Sequence, residues 1–509
     1  MFKKHPKGLL AASFANMGER FGFYTMMAIL TLFLMSKFGL DETKAGIIYS
    51  IFYFSIYILA FVGGLIADKT RNYKGIILIG LILMAVGYLM IAIPTPTPVP
   101  EGSFGIYLAM TCAGLFVIAF GNGLFKGNLQ ALVGQMYDNE EYSGQRDSGF
   151  SLFYMFINVG AIFAPFAAVG MRNWWLKSHG FAYNSDLPAL CHEQLKGTLS
   201  TDAATRLHDL ATNVGYSGND LTTFAKEYLN LFATGFHYAF AIAIGAMLIS
   251  LVVYLINKKS FPNPKDISEK SSSTNVEMDV AEIKQRLYAL FAVFGVVIFF
   301  WFSFHQNGLT LTYFAKDYVN LSGLVVDIGF TTIQGAEIFQ SINPIFVVLL
   351  TPVIMSLFGF LKSKGIEPST PKKIAIGMGI AALAYVTMSV GSMGLPAKSV
   401  ITEMGGLPDA QRVTPFLLIG TYLILTIAEL FISPMGISFV SKVAPPKYQG
   451  IMQGCWLGAT AVGNQLLFIG AIFYKSIPVS ITWLIFVGAC SISMFTMIGM
   501  LKWLERITK

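Results

Sequence analysis

The residues with chemical capacity in this chain are ionisable groups set inside long apolar runs. In NMGERFGFYTMM, the positions Asn16, Glu19, Arg20, Phe23, Tyr24 and Met27 recur at helical offsets, so a carboxylate, a guanidinium and a phenol share one helix face. In GNGLFKGNLQALVGQMY, Lys126 lies mid-run beside a small-xxx-small frame from Gly123 to Gly127 that admits a second backbone. A buried ammonium needs an anion. Glu19 is the acid deep in the amino-terminal half, so a Glu19 to Lys126 pair is expected, with a substrate carboxylate able to compete for the lysine. In TIAELFISPMGISFVSKVAP, Glu429 precedes Pro434, whose ring and missing N–H bend a helix and free carbonyls. No Lys or Arg lies deep in this second half, and an unpaired carboxylate suits a substrate ammonium. WFSFHQNGLTLTYF sets His305 and Gln306 near Gly308, and FQSINPIFVVLLTP sets Asn343 before Pro344. For His305, a neutral core histidine and a titrating one both stay open. Glu337, nearer the outer end, is expected in a rim or packing role.

Charges in such runs need a reason, because each costs several kcal/mol in an apolar medium unless paired or hydrated. The medium is a bilayer. Of 509 residues, 54% are hydrophobic and 12% charged, against about 25% charged in soluble domains, too little polar surface to cover a globule in water. The net charge of +7 is spread along loops rather than gathered in a groove, which argues against a nucleic-acid partner. Cys112, Cys191, Cys455 and Cys490 show no CxxC spacing and read as packing residues, with neither metal site nor disulfide framework. No nucleophile elbow, phosphate loop or metal spacing appears, so neither an enzyme nor a cofactor is expected. Lys3, Lys4 and Lys7 before an apolar run resemble a signal peptide, but Glu19 and Arg20 interrupt it, and a retained membrane helix is expected.

A crossing helix needs about 20 apolar residues. Twelve segments qualify, centred near residues 22, 56, 85, 119, 160, 244, 300, 343, 384, 427, 462 and 491. An even number puts both termini on one side, and the excess of Lys and Arg there marks it as cytoplasmic. Residues 1–258 are expected to form one six-helix bundle and residues 284–509 a second, joined by a polar cytoplasmic linker over residues 259–283. An external insertion, residues 172–230, holds TDAATRLHDL and DLTTFAKEYLNLF, spaced as small surface helices, with no chemistry assigned. An all-α membrane protein of two six-helix bundles is the layout of the major facilitator superfamily, in which substrate binds between the halves near the midplane. The run GGLIADKTRNYKG, residues 63–75, resembles that superfamily's Gly-x-x-x-Asp-(Arg/Lys)-x-Gly-Arg loop and puts Asp68 at a cytoplasmic gate.

With these motifs on the page, the chain resembles the proton-dependent oligopeptide transporter family over nearly its whole length. The family's Glu-x-x-Glu-Arg-Phe-x-Tyr-Tyr reads here as Asn16, Met17, Gly18, Glu19, Arg20, Phe21, Gly22, Phe23, Tyr24. GNGLFKGN is similar to its Gly-x-Gly-x-x-Lys-Pro-Asn, and LVGQMY, FSLFYMFINVGA, FQSINP and ELFISPMGISFVSKVAP follow in the family's order. The resemblance implies symport of protons with di- and tripeptides by alternating access, in a cell inner (cytoplasmic) membrane, by a monomer. It implies that Arg20 and Lys126 hold the peptide carboxylate, and that Glu429 holds the amino terminus with Asn158 and Asn343. It also implies that Tyr24 and Tyr57 contact the backbone, that Gln306 belongs to the site, and that Trp301 and Trp456 wall the side-chain pockets. Proton coupling falls to Glu19, Arg20 and Lys126, where protonating Glu19 frees Lys126, or to His305. The chain also departs from the pattern: Asn16 replaces the first carboxylate, Phe23 the first tyrosine, Met27 a frequent arginine, and His305 the carboxylate before the glutamine. These losses keep a second reading open, a member that moves another amphoteric metabolite or lacks proton coupling. The extra helix pair of bacterial members is absent, since the linker is too short for two crossings.

Overall fold

The structure, a computed structural model, describes residues 5–137, 141–142, 146–262, 279–366, 368–445 and 448–508. Most of the expected linker and the side chain of Asp68 lie outside the described residues. Among the described residues, twelve helices are long and apolar enough to cross a membrane. Spans one to six are Lys7–Phe38, Glu42–Ala67, Tyr73–Ala92, Phe104–Gln135, Leu152–Ser178 and Leu221–Ser260. Spans seven to twelve are Val280–Tyr318, Ala336–Ser363, Thr370–Gly391, Phe416–Val440, Ile451–Ser476 and Val479–Ile507. Both termini lie at one end of the bundle, the near end; the other is the far end.

Local chemistry sets where spans stop and start. Span one ends at Gly39, whose φ of 60° is left-handed and whose N–H donates to the Met35 carbonyl at 2.9 Å. Asp41 then opens span two by accepting the Lys44 N–H at 2.8 Å, and Asn72 opens span three through the Gly75 N–H at 3.0 Å. Spans two and four touch backbone to backbone, since a Cβ on Gly123 would sit 2.5 Å from the Leu59 carbonyl and one on Gly63 would strike Gly123. Gly127 has open space beside it, so only the first glycine of the expected frame serves the approach.

Spans seven and eleven are broken in mid-course. Span seven is α-helical to Phe304, tightens to a 3-10 turn over His305–Gly308, and resumes at Thr310. The Asn307 carbonyl freed there accepts from the Tyr422 hydroxyl at 2.8 Å and from Gln340 Nε2 at 2.9 Å, so side chains of neighbouring spans satisfy it. Span eleven breaks at Leu466. The helix of span ten, by contrast, continues through Pro434 to Val443.

In the far-end insertion, helices cover Leu187–Lys196 and Thr201–Asn213. The expected second surface helix over DLTTFAKEYLNLF is not separate. Asp220 caps the Thr222 N–H at 2.9 Å, and Phe224, Ala225, Tyr228 and Phe232 are buried as the first turns of span six. Residues 172–178 likewise belong to span five rather than to the insertion. A short antiparallel ribbon, Val326 opposite Ile333 and Asp327 opposite Thr332, lies between spans seven and eight.

Candidate functional site

Span one supplies the densest charge. Arg20 grips Glu19 with two bonds, Nε to Oε2 at 2.6 Å and Nη2 to Oε1 at 2.7 Å, and the pair is buried. Asn122 on span four adds a third donor to Glu19, and the guanidinium lies 4.5 Å over the Phe23 ring. The expected Glu19 to Lys126 pair is therefore corrected: the adjacent arginine reaches both carboxylate oxygens with its planar fork, which a lysine on another helix cannot match. Lys126 instead faces the Tyr57 ring at 4.6 Å and has no ion pair among the described residues. Cation–π contact holds it without consuming its three N–H donors.

Span ten presents the opposite charge. Glu429 accepts from Asn343 Nδ2 at 2.9 Å, and the same amide nitrogen reaches Thr426 Oγ1 at 3.0 Å. Asn343 is in the first turn of the helix Ile342–Ser363, so the break before it fixes where the amide points. Glu429 has no cationic partner among the described residues. Tyr24, Tyr57 and Tyr154 each lie within electrostatic range of both Arg20 and Glu429, so the two charges look onto one shared space. Tyr154, toward the near end of span five, is 56% exposed although it lies among these groups, so the space they share is open rather than packed. Asn158 is one turn along the same face of span five, donating to the Tyr154 carbonyl at 3.2 Å.

Not every expected residue joins this cluster. Gln306 is fully buried, donating to the Leu467 carbonyl at 3.2 Å and accepting from Thr310, so it is corrected from a substrate contact to a tie between spans seven and eleven. His305 stacks on Trp301 with ring centroids 4.8 Å apart and meets Tyr53 at the same distance. Its Nδ1 lies 2.5 Å from the side-chain amide of Asn464 on span eleven. Trp301 and Trp456 are both buried. Trp456 packs on Gly436, two turns or about 10 Å nearer the near end than Glu429. Tyr154, Tyr53 and Asn122 were missed in the sequence; Tyr154 had a signal, standing four residues before Asn158 in FSLFYMFINVGA.

The far end is tied across the halves. Arg172 of span five and Glu337 at the start of span eight form a fully buried pair, with Arg172 Nη2 also donating to the Gln334 carbonyl at 3.1 Å and its guanidinium 4.1 Å over the Tyr183 ring. Asn173 donates to the Thr332 carbonyl at 2.8 Å, Lys398 joins Glu42 at 3.2 Å and Asp317 at 2.7 Å, and Lys475 joins Asp41 at 2.9 Å. The insertion joins in: Asp186 accepts from Arg412 at 2.7 Å, and Ser200 Oγ donates to the Glu403 carbonyl at 2.5 Å. The expected rim or packing role of Glu337 thus has a partner that sequence reasoning did not supply.

Twelve spans in two sets of six, a polar cavity between them and a sealed far end define a membrane carrier of the major facilitator superfamily fold. Residues 74–277 and 265–484 match the model of the POT family. The chain belongs to that family. It is 29% identical to "Peptide transporter YePEPT" of Yersinia enterocolitica, over 91% of this chain and 87% of that one. It is 25% identical to "Dipeptide and tripeptide permease B" of Xenorhabdus bovienii, over 91% and 86%. Among solved structures, one described as a peptide transporter POT in complex with sulfate aligns with a TM-score of 0.72 at 22% identity, covering 100% of this chain and 96% of that one. At that identity the likeness speaks to the fold.

Proposed function

We propose that the protein imports di- and tripeptides across the cytoplasmic membrane by proton symport, with both termini in the cytoplasm and the two six-helix bundles rocking about the central cavity. It acts as a carrier rather than an enzyme. The observation that carries the reading is the facing of Arg20 and Lys126 on one bundle and Glu429 on the other across a space lined by Tyr24, Tyr57 and Tyr154. A short zwitterion that touches both ends links the bundles, so closure depends on the substrate. Lys126 is the readier carboxylate site, since it lacks an ion pair, while Arg20 is occupied by Glu19. A proton on Glu19 would leave it with one acceptor oxygen fewer and release Arg20 to the peptide carboxylate. This replaces release of Lys126 as the coupling step. Asn343 and Asn158 assist at the amino-terminal end, Trp301 and Trp456 bound the side-chain space, and Asp68 serves the cytoplasmic gate.

Glu19 rather than His305 carries the proton in this reading, because Glu19 holds the Arg20 guanidinium, whereas His305 contacts Asn464 and aromatic rings. The second reading, peptide transport without proton coupling, draws on the two acids replaced by Asn16 and His305. Purified protein in proteoliposomes with a labelled dipeptide separates them. Accumulation driven by an imposed proton gradient, lost in Glu19→Gln and kept in His305→Ala, supports symport through Glu19. Uptake only to equilibrium, indifferent to the gradient, supports the second reading.

A further inference from the structure

A second cavity, of about 280 Å³, opens at the far end between the insertion helix Leu187–Lys196 and the ends of both bundles. Arg172 of the buried far-end pair lines it, and none of Arg20, Tyr24, Tyr57, Lys126 or Glu429 does, so it is separate from the central site. Its size is near the lower limit of sites that hold small molecules, about 300–1,000 Å³. Leu32, Leu40 and Phe232 are part of a largely apolar wall, into which Asp41, Glu42, Glu193, Lys196, Lys398 and Lys475 set charges.

The charges fall into two groups. Lys398 and Lys475 are already matched, to Glu42 with Asp317 and to Asp41. Glu193 and Lys196, one turn apart on the insertion helix, have no ion pair among the described residues, although Glu193 is half-buried within range of the charges of Lys398 and Lys196. A half-buried carboxylate on a cavity wall, without an ion-pair partner among the described residues, is a feature that a ligand ammonium suits. Lys196 supplies the opposite pole, and Lys475 across the cleft adds to it, since an ammonium has three N–H donors and its tie to Asp41 uses one.

We propose that this cleft is a second binding site for a short zwitterionic peptide, with the ammonium on Glu193 and the carboxylate on Lys196 and Lys475. The inference rests on the peptide reading above for the kind of ligand, but not for the site. An occupant touches the insertion on one side and Lys475 of span eleven on the other, a juxtaposition present only while the far ends are together. It therefore favours the far-closed state, and external peptide at high concentration slows its own import.

The test uses the full chain in lipid nanodiscs and equilibrium binding of labelled alanyl-alanine. Wild type is expected to show a tight and a weak class of site. Glu193→Gln with Lys196→Gln should weaken the weak class about tenfold or more, the loss of one charge-assisted contact, and leave the tight class intact, which also shows that the variant folds. Glu429→Gln should do the reverse, and N-acetyl-alanyl-alanine amide, which has neither charge, should occupy neither. A weak class unmoved by the double variant, or a single class lost in Glu429→Gln alone, overturns the far site and leaves the central reading standing. A weak class that responds to the double variant while Glu429→Gln changes nothing supports the far site and overturns the central one; no binding anywhere overturns both.

Discussion

Replacing Glu337 with glutamine removes the charge facing Arg172 where both side chains are fully buried. Losing one partner of such a pair costs about 3–5 kcal/mol when the other charge stays buried. Arg172 keeps its bonds to the Gln334 carbonyl and Asn173 Oδ1 and its contact with the Tyr183 ring, so the lower figure of about 3 kcal/mol applies. The two residues belong to spans five and eight, on opposite bundles, so the cost falls on the far-closed arrangement and is relieved when water reaches Arg172 in the far-open one. A change of that size moves the ratio of far-open to far-closed molecules about 150-fold. Spin labels on Glu101→Cys and Val325→Cys, both exposed in far-end loops, read the separation once Cys112 and Cys455, the half-exposed native thiols, are replaced. Glu337→Gln should add a longer-distance population that the wild type lacks. An unchanged distance distribution would refute the claim that this pair holds the far end shut.

Other outcomes follow from the same geometry. Glu19→Gln should retain exchange of labelled for unlabelled dipeptide while losing gradient-driven accumulation; retention of both sinks Glu19 as the proton site. Gly63→Val should lower the melting temperature and the yield of folded protein, at a cost of about 1–3 kcal/mol or more from overpacking against Gly123. Gly127→Val, where a Cβ meets open space, should change neither, and equal effects of the two would remove the packing argument. Far-end closure should be flat with pH from about 5 to about 10. Burial alone would raise Asp41, but the Lys44 N–H and Lys475 outweigh it and hold it below its ordinary value, so its tie is complete above the unfolded value and fails only as pH falls through the depressed one. Burial works against the charge on Lys398, but Asp317 and Glu42 hold it well above the usual lysine range, so its ties are complete below the unfolded value and fail only as pH rises through the raised one. The same spin-label pair measured across pH checks this, and a midpoint near 7 contradicts it.

The spans and the charged residues were legible because both follow from composition along a single helix. An apolar run of sufficient length has one stable state in a bilayer, and a charge within it is conspicuous. Partners were less legible. Glu19 takes Arg20 and not Lys126 because a bidentate fork on the neighbouring residue wins over a point charge on another helix, a matter of rotamer and reach that spacing does not encode. Gln306 looked like a site residue next to His305, yet the 3-10 turn over His305–Gly308 points successive side chains in different directions and sends it toward Leu467. The far-end ties were invisible for a different reason: Arg172 and Glu337 are separated by more than 160 positions, and each alone reads as a charge near a span end. The surface-helix pattern in DLTTFAKEYLNLF was real as periodicity, but nothing in it marks that the helix continues into span six.

The central claim is that a cationic pole and an acidic pole on opposite bundles hold the two ends of one zwitterion. Pairing changes in the protein with changes in the ligand tests it most directly: alanyl-alanine and N-acetyl-alanyl-alanine are each titrated into wild type and Glu429→Gln, and the tight-site affinities are compared. The prediction is that Glu429→Gln weakens alanyl-alanine by about tenfold or more and leaves the acetylated peptide, already deprived of its ammonium, nearly unchanged. Equal weakening of both ligands, or of neither, would contradict it.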